Sequence, residues 1–218
     1  RLTTLGTLAA EIAHEIRNPL MVIRLLFDTL KHEAKGDSAI DKDLQVMREK
    51  IGHLEQIAGR ILEFGKSREA FRQTLLIGDI MEDACLLVRL KLEQSQISLR
   101  WISFPVDALV LVDKGQIQQV LLNLILNAVD AMPQGGEIFL DSETTAERVY
   151  VSVRDTGRGI PPNWMGRIFD SFLTGRSGGT GLGLTIAKRI MRSHDGDLEL
   201  LESSENGTTF RFYLPLAD

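Results

Sequence analysis

Apolar or small side chains fall at Leu2, Leu5, Ala9, Ile12, Ile16, Pro19, Ile23, Leu26 and Leu30. Steps of three and four alternate without a break, which is a heptad seam and predicts a helix with a partner along its length. The polar run KHEAKGDS at 31–38 predicts a turn, and Asp37 or Ser38 can cap the next helix. A second seam runs through Ile40, Leu44, Met47, Ile51, Leu54, Ala58 and Ile61. Two such helices joined by a short loop predict an antiparallel hairpin. One hairpin cannot enclose both seams. Hairpins from two chains make a four-helix bundle, so a homodimer is expected. An isolated coiled-coil stalk is the plainer alternative.

From about residue 70 the pattern changes. The spacing predicts a helix over 77–92, with Ile80, Ala84, Leu87, Val88 and Leu92 on one face. Strands are predicted over 97–104 and 109–112. A strongly apolar helix comes next over 114–132 and ends at Pro133-Gln134-Gly135-Gly136. A strand pair is predicted over 137–142 and 148–153. Beyond a glycine-rich stretch over 155–183 come a helix to about 193 and strands over 198–201 and 208–214. The elements lack the regular βαβ rhythm of a parallel sheet. The expected class is α+β: a helical hairpin over 1–69, then an α/β sandwich over 70–218 with one mixed sheet covered by helices.

Composition narrows the function. The 218 residues carry 25 Lys and Arg against 30 Asp and Glu, a formal net charge of -5. A nucleic-acid binder held by bulk charge would be basic, so no nucleic-acid partner is expected. Cys85 is the single cysteine, which excludes an internal disulfide framework and fits a reducing compartment. No apolar run approaches the roughly 18 residues of a membrane span. The chain starts at Arg1, inside a helical pattern, and reads as a fragment of a longer protein. A cytoplasmic location is expected, with a membrane link only through an upstream segment.

Three stretches carry candidate chemistry. Asp155-Thr156-Gly157-Arg158-Gly159 lies just past the strand that ends at Val153. A carboxylate there can accept from an amine while Gly157 and Gly159 let the backbone approach a flat ligand; an ordinary turn would look the same. Gly178-Gly179-Thr180-Gly181-Leu182-Gly183 opens a helix. Bared N–H groups at a helix N-terminus favour an anion, while a glycine hinge is the alternative. The stretch is neither a P-loop nor a dinucleotide fingerprint. Asn123 and Asn127 are four apart, on one face of a greasy helix. They are either core amides satisfied by backbone or oxygen donors facing a phosphate-bound Mg²⁺.

Taken in chain order, the Asn, Asp and Gly stretches resemble the N, G1 and G2 boxes of the ATP-binding domain shared by sensor histidine kinases, DNA gyrase, heat-shock chaperone ATPases and mismatch-repair ATPases. Ile168-Phe169-Asp170-Ser171-Phe172 resembles the kinase F box. Ala10-Glu11-Ile12-Ala13-His14-Glu15-Ile16-Arg17-Asn18-Pro19-Leu20 resembles the H box, where such kinases phosphorylate themselves. The resemblance covers essentially the whole chain. It implies a kinase that takes the γ-phosphoryl group of ATP onto His14 and passes it to an aspartate on a response regulator's receiver domain. It further implies that Asp155 binds the adenine amine, and that Asn127 holds Mg²⁺ with Asn123 beside it. Gly179, Thr180, Gly181, Leu182 and Gly183 would line the phosphates. Phe172 would pack on the nucleotide side of a lid over 170–178, and Thr209 would reach the adenine through water. Many relatives carry Lys three residues after the metal-binding Asn. Here that residue is Asp130, so Arg176 in the lid becomes the candidate phosphate cation. Relatives of the gyrase and chaperone type place a water-activating Glu where this chain has Asn123; such an ATPase, or a dimeric scaffold without catalysis, is the alternative.

The heptad places His14 at the f position, facing away from the seam. An imidazole with an ordinary pKa of about 6.5 is largely neutral at pH 7 and can act as a nucleophile. The adjacent Glu15 can fix its tautomer. Asn18 lies one turn further on the same face and matches the pattern of kinases that also dephosphorylate their regulators. Pro19 removes a backbone hydrogen bond and weakens the helix there. His32, His53 and His194 have no comparable setting and read as surface residues.

Overall fold

A computed structural model of the chain describes residues 71–103, 107–171, 173 and 181–217, together with residues 23, 46 and 47. The chain forms two compact units, residues 1–68 with 171–182 and residues 69–170 with 183–218. In the first, Ile23, Val46 and Met47 are helical, and Met47 is buried. The remainder of the expected hairpin lies outside the described residues, as do His14, Glu15, Asn18, His32 and His53.

The second unit runs β1 (Gln73–Leu76), α1 (Ile77–Gln94), β2 (Ile97–Trp101), β3 (Leu109–Val112), α2 (Lys114–Ala131), β4 (Gly136–Thr144) and β5 (Arg148–Asp155). A 3₁₀ helix (Pro162–Arg167), α3 (Gly183–Ser193), β6 (Asp197–Ser204) and β7 (Gly207–Pro215) complete it. The main sheet has the order β2-β4-β5-β7-β6, with β2 parallel to β4 and every other pair antiparallel. It is the mixed sheet expected, and the class is α+β.

Alternation decides which face of the sheet is covered. Ile138 and Leu140 of β4, Val149, Val151 and Val153 of β5, and Phe210, Phe212 and Leu214 of β7 all point to one buried face. The stripes Ile117, Val120, Leu121, Leu124, Ile125 and Ala128 of α2 and Ile186, Ala187, Ile190 and Met191 of α3 are buried with them. The Val, Leu, Ile, Phe and Met side chains among them stabilise the fold by about 1.5–3 kcal/mol each on full burial. On the other face, Arg guanidinium groups lie over aromatic rings: Arg154 over Phe139 at 4.7 Å and Arg211 over Tyr150 at 5.0 Å.

Asp113 starts α2. Its Oδ1 accepts from Gln116 N–H at 3.1 Å, an N-cap bond. Its Oδ2 accepts from Phe71 N–H at 3.1 Å. The neighbouring Arg72 donates to Asp195 Oδ2 at 2.8 Å and to the Ser193 carbonyl, at the C-terminal end of α3. Residues 71 and 72 are thereby tied to two helices.

Four expectations change. β1 was not expected; it pairs antiparallel with β3 in a separate two-stranded sheet. Four residues that run straight into a helix leave no turn signal. The strand expected over 97–104 ends at Trp101. Leu87 is exposed, along with Leu86 and Leu90, because the buried stripe of α1 runs through Ile77, Ile80, Met81, Ala84, Val88 and Leu92. His194, expected at the surface, is only 1% exposed. Its Nε2 accepts from Asp113 N–H at 3.1 Å and its Nδ1 lies 2.9 Å from the Ile190 carbonyl, so the ring proton sits on Nδ1. The imidazole is a neutral bridge between α3 and the start of α2.

Candidate functional site

The alternation that buries Val149, Val151 and Val153 also buries Asp155 at the end of β5. Its Oδ1 accepts from Gly157 N–H at 2.8 Å and from Thr208 N–H at 3.2 Å. Its Oδ2 has no partner among the described residues. Burial pushes the carboxyl pKa above the ordinary value, and the bonds from Gly157 and Thr208 pull against that shift. A buried carboxylate with one oxygen held and the other open is an acceptor waiting for a donor.

The surrounding backbone comes in close. A side chain at Gly157 would stand 2.7 Å from Ala131 Cβ and 2.9 Å from Asp155 Oδ1. Gly207 has φ +134° and lies against the Asp155 carbonyl, where any Cβ would collide. Arg158 N–H donates to the Ala131 carbonyl at 3.3 Å, joining the loop after Asp155 to the C-terminal end of α2.

On α2, Asn123 Nδ2 donates to the Gly183 carbonyl at 3.2 Å. That bond ties the middle of α2 to the first residue of α3. Asn127 is half-buried one turn later, towards the end of α2 that the loop after Asp155 joins. From the C-terminal end of α2 backwards come the loop that follows Asp155, then Asn127, Asn123 and the contact with Gly183. Gly159 and Gly181 both have positive φ, +68° and +62°. Leu182 is buried. Phe172, Arg176, Gly179 and Thr180 lie outside the described residues.

Thr209 is not brought to Asp155. In the register of β5 with β7 it stands opposite Arg154, on the outer face, and its hydroxyl donates to Glu202 Oε1 at 3.1 Å. Its neighbour Thr208 is on the buried face and donates to Asp155. Thr208 shares the inward alternation of Phe210 and Phe212, which the pairing of β7 with β5 fixes. Ser203 was also missed. Its Oγ accepts from Ile160 N–H at 2.8 Å and lies 2.9 Å from Thr208 Oγ1. Between α3 and the 3₁₀ helix, Thr185 Oγ1 donates to the Phe169 carbonyl at 2.9 Å, and Lys188 Nζ lies 4.3 Å from the centre of the Phe169 ring.

No group of three His, Cys, Asp or Glu side chains is clustered to hold a metal among the described residues. The donors present on α2 suit an ion that takes its other ligands from phosphate and water. Among the described residues no helix is long and apolar enough to cross a membrane.

Residues 112–218 match the family of histidine kinase-, DNA gyrase B- and HSP90-like ATPases, and residues 4–70 match the His Kinase A (phospho-acceptor) domain. The sensor histidine kinase ZraS of Salmonella typhimurium is 32% identical over 217 residues, which is 99% of this chain and 47% of ZraS. The signal transduction histidine-protein kinase AtoS of Escherichia coli is 32% identical over 223 residues, 99% of this chain and 36% of AtoS. The chain thus spans less than half the length of these curated relatives. Among solved structures, histidine kinase ThkA in complex with response regulator protein TrrA matches with a TM-score of 0.84 at 31% identity, covering 100% of this chain and 63% of that one. The separate catalytic domain of ThkA matches with a TM-score of 0.59 at 32% identity, over 66% of this chain and 95% of that one.

Proposed function

The chain belongs to the sensor histidine kinase family, and from that premise we propose that it transfers the γ-phosphoryl group of ATP to His14. The single observation that carries the nucleotide half is Asp155, a buried carboxylate with one oxygen held by two N–H groups and the other open. That oxygen would accept from the adenine amine, while Gly157 and Gly207 let the backbone close tightly around Asp155. Asn127 would hold Mg²⁺, which neutralises phosphate charge. Asn123, Gly181 and Gly183 would position the phosphates, with Arg176 the candidate cation from the lid. Phosphoryl transfer requires positioning and charge neutralisation more than covalent chemistry from the enzyme.

On the acceptor side, an imidazole nitrogen of His14 forms the new P–N bond as the bond to the leaving ADP breaks. Glu15 orients the ring. The phosphoryl group then passes to an aspartate of a response regulator. The matches over 4–70 and 112–218 support a division near residue 70 into a phosphotransfer hairpin and an ATP-binding domain. The hairpin would dimerise into a four-helix bundle. The piece acts in the cytoplasm in this reading. A water-splitting ATPase is the rival, and Asn123 speaks against it: an amide that donates to the Gly183 carbonyl cannot take a proton from water.

The test is incubation with γ-labelled ATP and Mg²⁺. Label that acid releases, absent from His14→Gln while ATP binding is kept, is the expected result. Acid-stable label, or acid-labile label surviving in His14→Gln, contradicts it. Asn18 adds a phosphatase function: its amide would orient water beside a docked phosphoaspartate without taking a proton. Asn18→Ala should keep self-labelling and lose most decay of the phosphorylated regulator; equal decay rates for variant and parent would end that assignment.

A further inference from the structure

The loop after β5 and the hairpin of β6 and β7 meet around Asp155, and one side chain joins them. Ile160 N–H donates to Ser203 Oγ at 2.8 Å, and Ser203 Oγ lies 2.9 Å from Thr208 Oγ1. Thr208 N–H and Gly157 N–H both donate to Asp155 Oδ1. The contacts close a ring that runs from Asp155 through residues 157–160 to Ser203, then to Thr208 and back. Beside it, Gly159 packs on the Ser204 carbonyl too closely for any side chain. Among the described residues, Ser203 and the Thr208 hydroxyl have no other side-chain hydrogen-bond partner.

Ser203 Oγ already accepts from a backbone N–H. An oxygen that has accepted becomes a better donor, so hydrogen bonds that run head to tail strengthen one another. Either hydroxyl of the pair can donate; the cooperative run is Ile160 N–H to Ser203, then Ser203 O–H to Thr208. Thr208 Oγ1 is then the acceptor of that bond, and its own hydrogen is left to donate onward. With that direction the Thr208 hydroxyl is a donor, and the same residue's N–H holds the carboxylate whose Oδ2 is the acceptor. Adenine carries an amine beside a bare ring nitrogen, a donor next to an acceptor. Guanine carries a carbonyl beside a ring N–H, the reverse order. A site built to hydrogen-bond one pattern rejects the other, because its buried polar groups are left unpaired.

We propose that Ser203 is a positioning residue for base selection, fixing the direction of the Thr208 hydroxyl through the bond from Ile160 N–H. The proposal rests on the assignment of Asp155 to the adenine and names a residue through which that site distinguishes adenine from guanine. Ser203 does not touch the base; it acts through Thr208.

The test is titration of the whole chain with Mg-ATP and Mg-GTP. Ser203→Ala should weaken ATP roughly three- to tenfold and GTP much less, so that the ATP-to-GTP ratio narrows. Ser203→Thr keeps the hydroxyl and should restore the ratio. Ser203→Cys, similar in size with a weak S–H donor, guards against poor folding of the alanine variant and should move the ratio in the same direction. Thr208→Val should narrow the ratio by itself and hide any further effect of Ser203→Ala. Equal weakening of both nucleotides, or full additivity with Thr208→Val, would reduce Ser203 to a structural role and overturn the proposal. So would affinities within twofold of the parent. Those outcomes leave the nucleotide site at Asp155 standing; a parent that binds neither nucleotide removes both.

Discussion

Asp155 and Cys85 show why a shifted titration must be read with its surroundings. Burial, and then the Glu82 carboxylate, push the Cys85 thiol up to about 11. A thiol pushed that high is protonated at neutral pH and inert. Asp155 is shifted in the same direction by burial, but it sits among glycines with an open oxygen. A carboxyl whose native pKa lies above its unfolded value keeps its proton to higher pH in the fold. Its charge therefore weakens the fold as pH rises from the unfolded pKa through the native one. Asn at this position would drop the charge and could still accept from Gly157 and Thr208. Asp155→Asn should melt no lower than the parent at pH 7 while losing ATP roughly ten- to a hundredfold, the cost of a hydrogen bond to a charged group. Calorimetry and a nucleotide titration on one preparation check both halves; a lower Tm together with unchanged affinity would contradict the role given to this residue.

At the scale of elements, the long periodic segments were legible and the short or phase-sensitive ones were not. Lys114–Ala131 declares itself through a dense apolar stripe with an acidic cap before it and Pro133 behind it. β1 is four residues without a turn in front of it, and its partner β3 lies across a whole helix in sequence. The threonine pair at 208 and 209 was readable as a strand, but choosing between its members needed the phase of β7 against β5. His194 was hidden for a related reason. A helical stripe predicts burial of Ile186, Ala187, Ile190 and Met191, while the imidazole one turn past Ile190 is held by its bond to Asp113, which no local pattern encodes. Gly157, Asn123 and Asp155 were legible because glycine, amide and carboxylate are unusual where they stand. Ser203 was not, because a serine near a turn is ordinary and its meaning comes only from Ile160 and Thr208.

Across the molecule, His194 links stability to pH. Burial lowers its pKa below the ordinary 6.5, with the charge of Arg72 adding to the shift and the Ile190 carbonyl, Asp113 and Asp195 opposing it. A histidine depressed in the native state contributes stability that is complete above its unfolded pKa. That stability is lost as pH falls below that value towards the native one. A single group can supply at most about 1.4 kcal/mol per pH unit. Asp155, raised instead, contributes in the opposite sense, so a variant must separate the two. His194→Gln can reproduce both hydrogen bonds without titrating. Its denaturation midpoint should fall less than the parent's between pH 7 and 5.5; parallel curves would remove His194 from the account. The same corner of the fold has a mechanical side. Phe71 N–H is moored to the cap of α2, and Arg72 is moored to the far end of α3 by two more bonds. Those bonds fasten the opening residues of this unit to the helix that carries Asn123 and Asn127 and to the one that begins at Gly183, so a cut or insertion at residues 71–72 would loosen both helices at once.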